Sequence, residues 1–485
     1  MITSMPPSNT PLAQAVQSAL SGCRAGQSGF YLLHDGLSAF VARVALIDAA
    51  EVSLDVQYYI FHDDTSGRIL LSKLIEAADR GVRVRLLVDD LGTQINDPWA
   101  AALDTHKNIS IRIFNPVSGR SGIQRIFQQT IHFGRINHRM HNKLLVADDL
   151  VLITGGRNIG DEYFSNTDMD FQDTDILSLG AVLPDATNSF NNYWNSPASV
   201  PLDRLLTADK DLYSIEMLRS NIPAFFAEQR ETDFAKALLK SSLSQALQSG
   251  HVPLSYGTAE LLYDPPEKAY QHEKVDPNQY LGFQLRQTLA RSKSRLHISS
   301  AYFVPGKDGA AFLCGLTDAG VDVHILTNSL STTDIAIVHS GYPRYRKTLL
   351  RSGVKLSELR AEAGQKKRIR WFKGKSRASL HAKTFVIDHD RTVIGSVNLD
   401  SRSIIQNTEI ALLICSDEIN QQLEELFNQW VDPESAWEVS IINKKLIWRA
   451  ENNGKPIAQY TDPKTSAWLR FKVWIMSWLP IEAHI

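Results

Sequence analysis

The sequence contains few cysteines, lacks a long apolar run and has almost no net charge. Three of its 485 residues are cysteine, so neither a disulfide framework nor a cysteine metal site is indicated. Because no run of about 18 apolar residues occurs, no membrane-spanning helix is expected. The first residues lack the basic and apolar regions of a signal peptide. With a net charge of −2, the chain has no overall field that would attract nucleic acid, so attraction to anions has to be local.

The chain repeats itself, and it is long enough for two domains with substantial cores. In two places the order strand, helix, glycine turn, strand is repeated, with Gly81 and Gly320 at the turns. The matching segments are SLDVQYYIF (53–61) with RGVRVRLLVDD (80–90), and RLHISSAYF (295–303) with AGVDVHILTNS (319–329). Strands that alternate with helices predict a helix-covered sheet, mainly parallel in its first strands.

These repeats divide the chain into five parts. We expect the following parts: a polar segment over 1–27, one half over 28–200, a connector over 201–277, the other half over 278–430, and an extension over 431–485. The connector is expected to pack on both halves. It contains an apolar pattern that predicts a helix over 231–248 and then proline-broken polar sequence.

A second pair of segments matches more closely, namely HNKLLVADDLVLITGGRN (141–158) and HAKTFVIDHDRTVIGSVN (381–398). Each segment places His, Lys, Asp, Gly and Asn at identical offsets. The glycines allow a backbone or a ligand to approach closely. Five matched positions inside two matching α/β halves are very unlikely by chance, so the repeated motif predicts one paired site.

The residue types of this motif suit chemistry on a phosphodiester. If the motif forms a strand, His141 and Lys143 project from one face, where both are costly to bury unless they are paired or used. Lysines and amides stabilise charge on the non-bridging oxygens. One histidine can attack phosphorus while the other protonates the leaving oxygen. The predicted catalytic set is His141, Lys143, Asn158, His381, Lys383 and Asn398.

The two motifs resemble the signature motif of the phospholipase D superfamily. That motif is His-x-Lys-x4-Asp followed by Gly-Gly or Gly-Ser and Asn, and it occurs twice per chain. The resemblance implies two similar α/β/α sandwich halves related by a pseudo-two-fold axis, a site on that axis, and no metal or other cofactor. It assigns catalytic roles to the six residues above. The motif aspartates Asp148 and Asp388 are mainly structural in that family. The seven-residue spacing agrees, because it places Asp148 on the opposite strand face or in the following turn.

A histidine nucleophile needs an acidic partner that fixes its tautomer. In the family, this acid lies at the start of the strand that follows the motif. Glu409 occupies that place in the second half, whereas the first half offers Asp173 and Asp175. Matching of the strands makes Asp173 the counterpart of Glu409, and Asp175 remains the alternative.

Further segments resemble bacterial cardiolipin synthases, especially their C-type branch. They cover 54–71, 139–143, 155–164, 334–356 and 379–385. This resemblance implies transfer of a phosphatidyl group to phosphatidylglycerol, with phospholipids and the membrane surface as partners and a peripheral position on the bacterial cell membrane, the inner membrane in particular. The alternatives are a phospholipase D that hydrolyses phospholipid, a nuclease or other phosphodiesterase, and a non-catalytic lipid-binding protein. The near-neutral charge does not favour a nuclease, and the two intact motifs argue against the last alternative.

Two segments are candidates for membrane contact. The basic segment 365–377 precedes His381 and could gather anionic lipid, although it could also bind nucleic acid or be a solvated loop. The tail 466–480 carries three tryptophans with Arg470 and Lys472, which is typical of an interfacial amphipathic helix. As a helix it would measure about 21 Å, too short to cross a bilayer core of about 30 Å. The alternative for the tail is a helix docked on the enzyme core.

Overall fold

The computed structural model describes residues 9–93, 97–116, 138–167, 169–205, 214–271, 274–361 and 377–478. Helix α1 comes first, at Pro11–Ala19. The first half then consists of β1 (Ser28–Leu33), α2 (Gly36–Ala49), β2 (Ser53–Tyr58), α3 (Thr65–Asp79), β3 (Arg83–Asp89), α4 (Asp97–Asp104), β4 (Ile109–Phe114), β5 (Leu144–Ala147), β6 (Val151–Gly155), β7 (Met169–Gln172), β8 (Asp175–Gly180), α5 (Leu183–Trp194) and β9 (Ser199–Pro201).

The sheet of the first half is parallel where the repeat predicted it. Strands β2, β3 and β4 are parallel neighbours, and β5, β6, β8 and β1 continue the sheet antiparallel from β2. The sheet is buried on both faces, which explains its unbroken apolar strands. On β5, Leu145 points into the core under α2 and α3, whereas Leu144 and Val146 point into the core that includes α5.

The segment predicted as a connector contributes a strand to the sheet. It contains α6 (Ile215–Arg230), α7 (Asp233–Leu239), α8 (Ser242–Gln248) and β10 (Ser255–Tyr263). Strand β10 pairs antiparallel with β1 and continues against a strand of the second half, so that one 18-stranded sheet runs through both halves. The sheet of the second half therefore begins before residue 278.

The helix expected over 231–248 is two helices, so that prediction is wrong. Ser241 ends the first helical stretch because its hydroxyl accepts a hydrogen bond from the amide of Ser244 at 3.2 Å and so caps α8. Serine side chains satisfy the free amides of a first turn well, and this local cap outweighs the continuous apolar pattern.

The second half repeats the plan of the first. It consists of α9 (Leu281–Leu289), β11 (Arg295–Ser300), α10 (Gly306–Asp318), β12 (Asp322–Asn328), α11 (Ala336–His339), α12 (Pro343–Arg351), β13 (Lys355–Leu359), β14 (Arg377–Leu380), β15 (Lys383–Ile387), β16 (Arg391–Gly395), β17 (Ile410–Cys415) and α13 (Asp417–Trp430). Strands β11, β12 and β13 are parallel, and β15, β16 and β17 continue antiparallel. Gly81 and Gly320 have φ of +101° and +91°, as expected of the glycine turns before β3 and β12.

The two halves share a core. It contains Phe190 of α5 and Ile176 of β8 from the first half, together with Leu412 of β17 and Phe427 of α13 from the second. Because these side chains form one continuous apolar cluster, the halves are fixed side by side over a common interface.

The C-terminal extension begins with strands that enlarge the second sheet. They are β18 (Ala436–Ile442), β19 (Lys445–Asn452) and β20 (Lys455–Gln459), and β18 pairs with β13. Helix α14 (Ala467–Met476) follows, with Ser466 as its cap. It ends before the expected stop at Pro480, which lies outside the described residues. Among the helices that the structure describes, none has the length and apolar character needed to cross a bilayer.

The motif aspartates hold the start of a neighbouring strand. Asp148 has a φ of +54°, and its carboxylate accepts hydrogen bonds from the backbone amides of Glu51, Val52 and Ser53 at 2.8–2.9 Å. In the second half, Asp388 likewise accepts from the amides of residues 293–295. These contacts support a structural role for both aspartates.

Candidate active site

The two motif histidines meet at the interface between the halves, and each contacts an acid from the other half. His141 Nδ1 lies 2.8 Å from Glu409 Oε2. His381 Nδ1 lies 2.6 Å from Asp173 Oδ2. Both imidazoles are almost buried, with side chains 11% and 8% exposed, and both acids are fully buried. Asp173 and Glu409 were predicted as partners of the histidines, but the sequence did not indicate that each pair would form between the two halves.

Backbone pairing between the halves explains this exchange of partners. Strand β7, which precedes Asp173, is parallel to β14, which precedes His381, and the His381 amide donates to the Gln172 carbonyl at 2.8 Å. On the other side the His141 amide donates to the Thr408 carbonyl, also at 2.8 Å. The residues before each histidine thus run beside the residues before the opposite acid.

The motif lysines contact their own histidines. Lys143 Nζ donates to the His141 carbonyl at 2.5 Å. Lys383 Nζ donates to the His381 carbonyl and lies 3.0 Å from His381 Nδ1. The expectation that each motif begins a strand at its histidine is wrong, because β5 begins at Leu144 and β15 at Lys383. The residues before these strands pair with the opposite half instead of with their own sheet.

The carboxylates determine the tautomer of each imidazole. An ionised carboxylate can only accept, so each Nδ1 carries the proton that it donates to Asp173 or Glu409. In a neutral imidazole this leaves the lone pair on Nε2, the atom that can attack phosphorus or take a proton. Burial, together with the nearby lysines, lowers the pKa of His381 and lowers that of His141 well below its usual value. For His381, the charge and the hydrogen bond of Asp173 act in the opposite direction and favour the protonated imidazole.

The two acids differ electrostatically. Burial opposes ionisation of Asp173, but His381 and Lys383 outweigh it and hold the Asp173 pKa below its usual value. Burial raises the pKa of Glu409 to about 7, even though Lys143 acts in the opposite direction. Asp173 is thus a permanent anion at neutral pH, whereas Glu409 titrates close to it.

The motif amides hold the segments that follow β2 and β11. Asn158 Oδ1 accepts from the Ile60 amide at 3.2 Å, and its Nδ2 donates to the Tyr163 hydroxyl at 3.0 Å. Asn398 Oδ1 lies 3.5 Å from the Tyr302 amide, the matching position in the second half. The Tyr163 ring stands edge-on to His381 at 5.1 Å. Sequence reasoning missed this tyrosine, although it stands in the segment GGRNIGDEYF that carried part of the resemblance.

Small residues let the acids approach the motifs closely. A Cβ on Gly156 would lie 2.1 Å from Asp173 Oδ1, and one on Gly395 would lie 2.3 Å from the Ile410 carbonyl. The close approach expected of the motif glycines is therefore present. The counterpart of Gly156 is Ser396, whose hydroxyl donates to Glu409. The two halves consequently support their acids differently.

Two further buried aspartates support the site from outside. Asp175, the alternative partner considered for the histidine, forms an ion pair with Arg43 at 2.9 Å instead. Asp264, in the segment predicted as a connector, accepts from the backbone amide of Glu409 and from Lys268 Nζ, both at 2.9 Å. Nothing in the sequence pattern indicated that Asp264 would hold the backbone of an active-site residue.

Within the described ranges, one group of side chains has the composition of a metal site. His62, Asp64 and Glu162 place ligand-type atoms within 4.8 Å of one another. The Asp64 oxygens, however, accept from the amides of Gly67 and Asp161 at 2.9 and 2.7 Å. The carboxylate is thus already used to cap α3, and the sequence had not indicated that these three residues would meet.

The duplicated α/β halves and the crossed imidazole–carboxylate pairs define an enzyme of the phospholipase D class, built to transfer phosphodiesters. A family model described as cardiolipin synthase, PLD-like domain, matches residues 44–194 and 285–431, one match in each half. The chain belongs to this family of phospholipase D-like cardiolipin synthases.

Relatives match over nearly the whole chain. Cardiolipin synthase C of Escherichia coli is 39% identical over 463 residues, which cover 94% of this chain and 96% of that protein. Cardiolipin synthase A of Pseudomonas putida is 27% identical over 436 residues, covering 89% of this chain and 74% of that protein. The crystal structure of phosphatidylserine synthase from Haemophilus influenzae superposes with a TM-score of 0.62 at 16% identity, covering 97% of this chain and 100% of that chain. The latter likeness concerns the fold alone.

Replacement of either histidine is expected to abolish the activity. His141→Ala and His381→Ala should each lower kcat by roughly a thousandfold or more, and the double variant should be no worse than either, because the pair acts as a unit. The measurement is turnover of a soluble phosphodiester. The matched control is His389→Ala, an exposed histidine eight residues after His381, which should keep full activity. A single variant that retains a sizeable fraction of activity would contradict a shared site.

The acid limb of the pH profile is expected to depend on Ser396. Protonation of Glu409 removes the acceptor for His141 Nδ1–H, so activity should fall as pH decreases through about 7. The Ser396 hydroxyl bond favours the ionised acid and lowers its pKa. Ser396→Ala should therefore move the acid limb of kcat upward by about half to one unit.

The control for this shift is Ser379→Ala, since Ser379 Oγ is buried without a hydrogen-bond partner among the described residues. That variant should leave the limb in place. An unchanged limb in Ser396→Ala, or one displaced to lower pH, would mean that Glu409 does not control the titration.

Proposed function

We propose that this protein is a cardiolipin synthase that transfers a phosphatidyl group to phosphatidylglycerol through a phosphohistidine. The observation that carries the proposal is the pair of imidazoles, each bonded at Nδ1 to a carboxylate from the opposite half. Two such imidazoles suit a reaction in two displacements, in which one binds phosphorus and the other moves the proton. The 39% identity to Escherichia coli cardiolipin synthase C along nearly the whole chain supports the choice of substrates.

In the first displacement, Nε2 of one histidine attacks the phosphorus of the donor lipid. The new N–P bond forms as the bond between phosphorus and the leaving alcohol oxygen breaks. The other histidine, protonated, gives its proton to that oxygen, and the alcohol departs. Lys143 and Lys383, which are 1% exposed, are positioned to stabilise the charge on the non-bridging oxygens.

In the second displacement, the now neutral second histidine takes the proton from a hydroxyl of phosphatidylglycerol. The resulting oxygen attacks phosphorus, the N–P bond breaks, and cardiolipin leaves with both imidazoles restored. The anionic Asp173 stabilises an imidazolium at His381 better than Glu409 does at His141. This difference favours His381 as acid and base and His141 as nucleophile, as analogy with the family also suggests.

Helix α14 supports peripheral attachment to a membrane surface, which we propose to be the bacterial inner membrane. Trp468 and Trp474 of the helix and Trp478 just after it are 62%, 54% and 72% exposed, and among the residues of the helix only Val473 is buried. A helix docked on the core would bury these rings. Tryptophan prefers the headgroup level of a bilayer, where Arg470 and Lys472 can reach phosphates. The basic segment 365–377, the other candidate, falls almost entirely outside the described residues.

The product decides between synthase and hydrolase. With phosphatidylglycerol present as acceptor in vesicles of mixed phospholipids, the main product should be cardiolipin, because a positioned acceptor outcompetes water by its effective concentration. The measurement is lipid mass spectrometry, both in vitro and in cells that lack cardiolipin. His381→Ala serves as the inactive control. Phosphatidic acid as the main product would assign the protein to the hydrolytic phospholipases D, and cleavage of nucleic acid in preference to lipid would assign it to the nucleases.

Removal of α14 is expected to release the enzyme from membranes without unfolding it. Deletion of residues 464–485 leaves Asp462, whose ion pair with Arg346 at 2.9 Å fixes the end of the extension on the core. The two basic residues alone contribute about 1 kcal/mol each at an anionic surface, so vesicle binding should weaken by at least about tenfold. Sedimentation with phosphatidylglycerol vesicles measures the effect, and turnover of a soluble phosphodiester should persist.

The matched control is Tyr460→Ala, which removes a 70% exposed aromatic side chain outside the helix and should leave vesicle binding unchanged. Precipitation of the truncated protein, or loss of its cooperative melting, would instead show that α14 belongs to the core.

A further inference from the structure

An apolar groove of about 260 Å³ lies between α3 and α6 in the first half. Leu218, Ile222 and Phe225 form one stripe along α6, and Leu71 and Ile75 of α3 face them across the groove. Facing apolar stripes on neighbouring helices normally interdigitate at the density of a protein core. Here they remain apart, so the space between them suits an apolar occupant.

The groove begins close to the candidate active site along the chain. Its floor begins at Phe61 and His62, which directly follow the residues that contact the site. The Tyr59 ring lies 5.2 Å from the His141 ring, and the Ile60 amide donates to Asn158 at 3.2 Å. Phe61 comes two residues after Tyr59, so at about 3.3 Å per extended residue the groove begins within roughly 7 Å of Tyr59 along the chain.

At the position of the second half that matches the start of the groove, the structure shows a much smaller space. Phe303 is the counterpart of Phe61, and each forms a bridge to the residue that follows its motif asparagine, Leu399 and Ile159 respectively. Beside Phe303, the Tyr342 ring fills the position at a centroid distance of 5.6 Å, and the cavity that these two residues line measures about 10 Å³. The catalytic groups are duplicated, but at this position the open space is not.

The size and lining of the groove indicate one kind of occupant. Its volume is below the roughly 300–1,000 Å³ of pockets that enclose a whole small ligand, so it fits part of a molecule. Polar residues, namely His62, Asp63 and Arg68, line it at the N-terminal end of α3, and the lining becomes apolar farther along the helix. The lining is thus polar at the end near the site and apolar farther along. This order fits a phospholipid whose headgroup stays at the polar end while one acyl chain lies in the apolar part.

We propose that this groove binds one acyl chain of a phospholipid substrate and thereby makes the two sides of a nearly symmetrical site unequal. The proposal rests on the proposed function for the identity of the lipid. It adds that a lipid is recognised by its chain as well as by its phosphate. A transfer reaction uses two lipids, and this groove can hold the acyl chain of only one of them at a time.

The first test fills the groove. Ile222→Trp and Leu71→Trp place an indole in it, and Ala224→Trp on the exposed side of the same helix is the matched control. Each methylene excluded from apolar contact weakens binding about fourfold. The ratio of kcat/KM for dioleoyl phosphatidylglycerol to that for the chain-free bis(4-nitrophenyl) phosphate should therefore fall at least about tenfold in both groove variants. The control should keep the ratio of the unmodified protein, and circular dichroism checks folding.

A second test uses the unmodified full chain, so it does not depend on how the variants fold. Phosphatidylglycerol with a photoreactive diazirine near the end of one chain is bound in vesicles and irradiated. Mass spectrometry should find the label on residues 61–75 or 218–225. Label confined to α14 or scattered over the surface would overturn the proposal, as would groove variants with the same substrate ratio as Ala224→Trp.

Consumption of phosphatidylglycerol is followed whatever the product is, which keeps the two proposals separate. Phosphatidic acid in place of cardiolipin would overturn the proposed synthase, while a reduced substrate ratio would still support the groove. Cardiolipin formation with an unchanged ratio in the groove variants would overturn the groove alone.

Discussion

The exchange of backbone hydrogen bonds between the halves is the constraint on which the site depends. The residues before His381 pair with those before Asp173, and the residues before His141 pair with those before Glu409. Neither half therefore contains a complete imidazole–carboxylate pair of its own. The shared core between α5 and α13, together with β10 in the sheet of both halves, holds these short segments in register. A shift of one residue in either pairing would turn the acid away from the imidazole, since side chains alternate with period two.

Burial of so many charged groups is costly, and the structure compensates for it with partners. Lys143, Lys383, Asp173 and Glu409 are all at most 1% exposed. Unpaired buried charges are strongly unfavourable, whereas charges that bind one another and the backbone are tolerated. A second layer extends this compensation, because Asp264 and Lys268 form a fully buried ion pair that also binds the Glu409 amide. Charges that are buried in this way interact more strongly with one another than charges in water do.

The surroundings of the site are less symmetrical than its catalytic groups. Gly156 permits close approach of Asp173, whereas Ser396 at the matching position donates to Glu409. One half has the groove between α3 and α6, and the other half fills the matching position with Tyr342. The motifs are equal along the repeat, whereas the side chains and the space around them differ between the two halves.

The repeat in the amino-acid sequence by itself determined much about this protein. Motif identity at matched offsets predicted two α/β halves and the set of His, Lys and Asn residues, because each of these depends on local order along the chain. The resemblance to the phospholipase D superfamily added the acids Glu409 and Asp173, with Asp175 as the alternative to Asp173. Tertiary structure alone decided which acid meets which histidine, since the partners are 268 and 208 residues apart. It also placed β10 in the sheet, brought Asp264 to Glu409 and left α3 and α6 apart. No local pattern specifies such contacts, because they arise only when distant elements pack against one another.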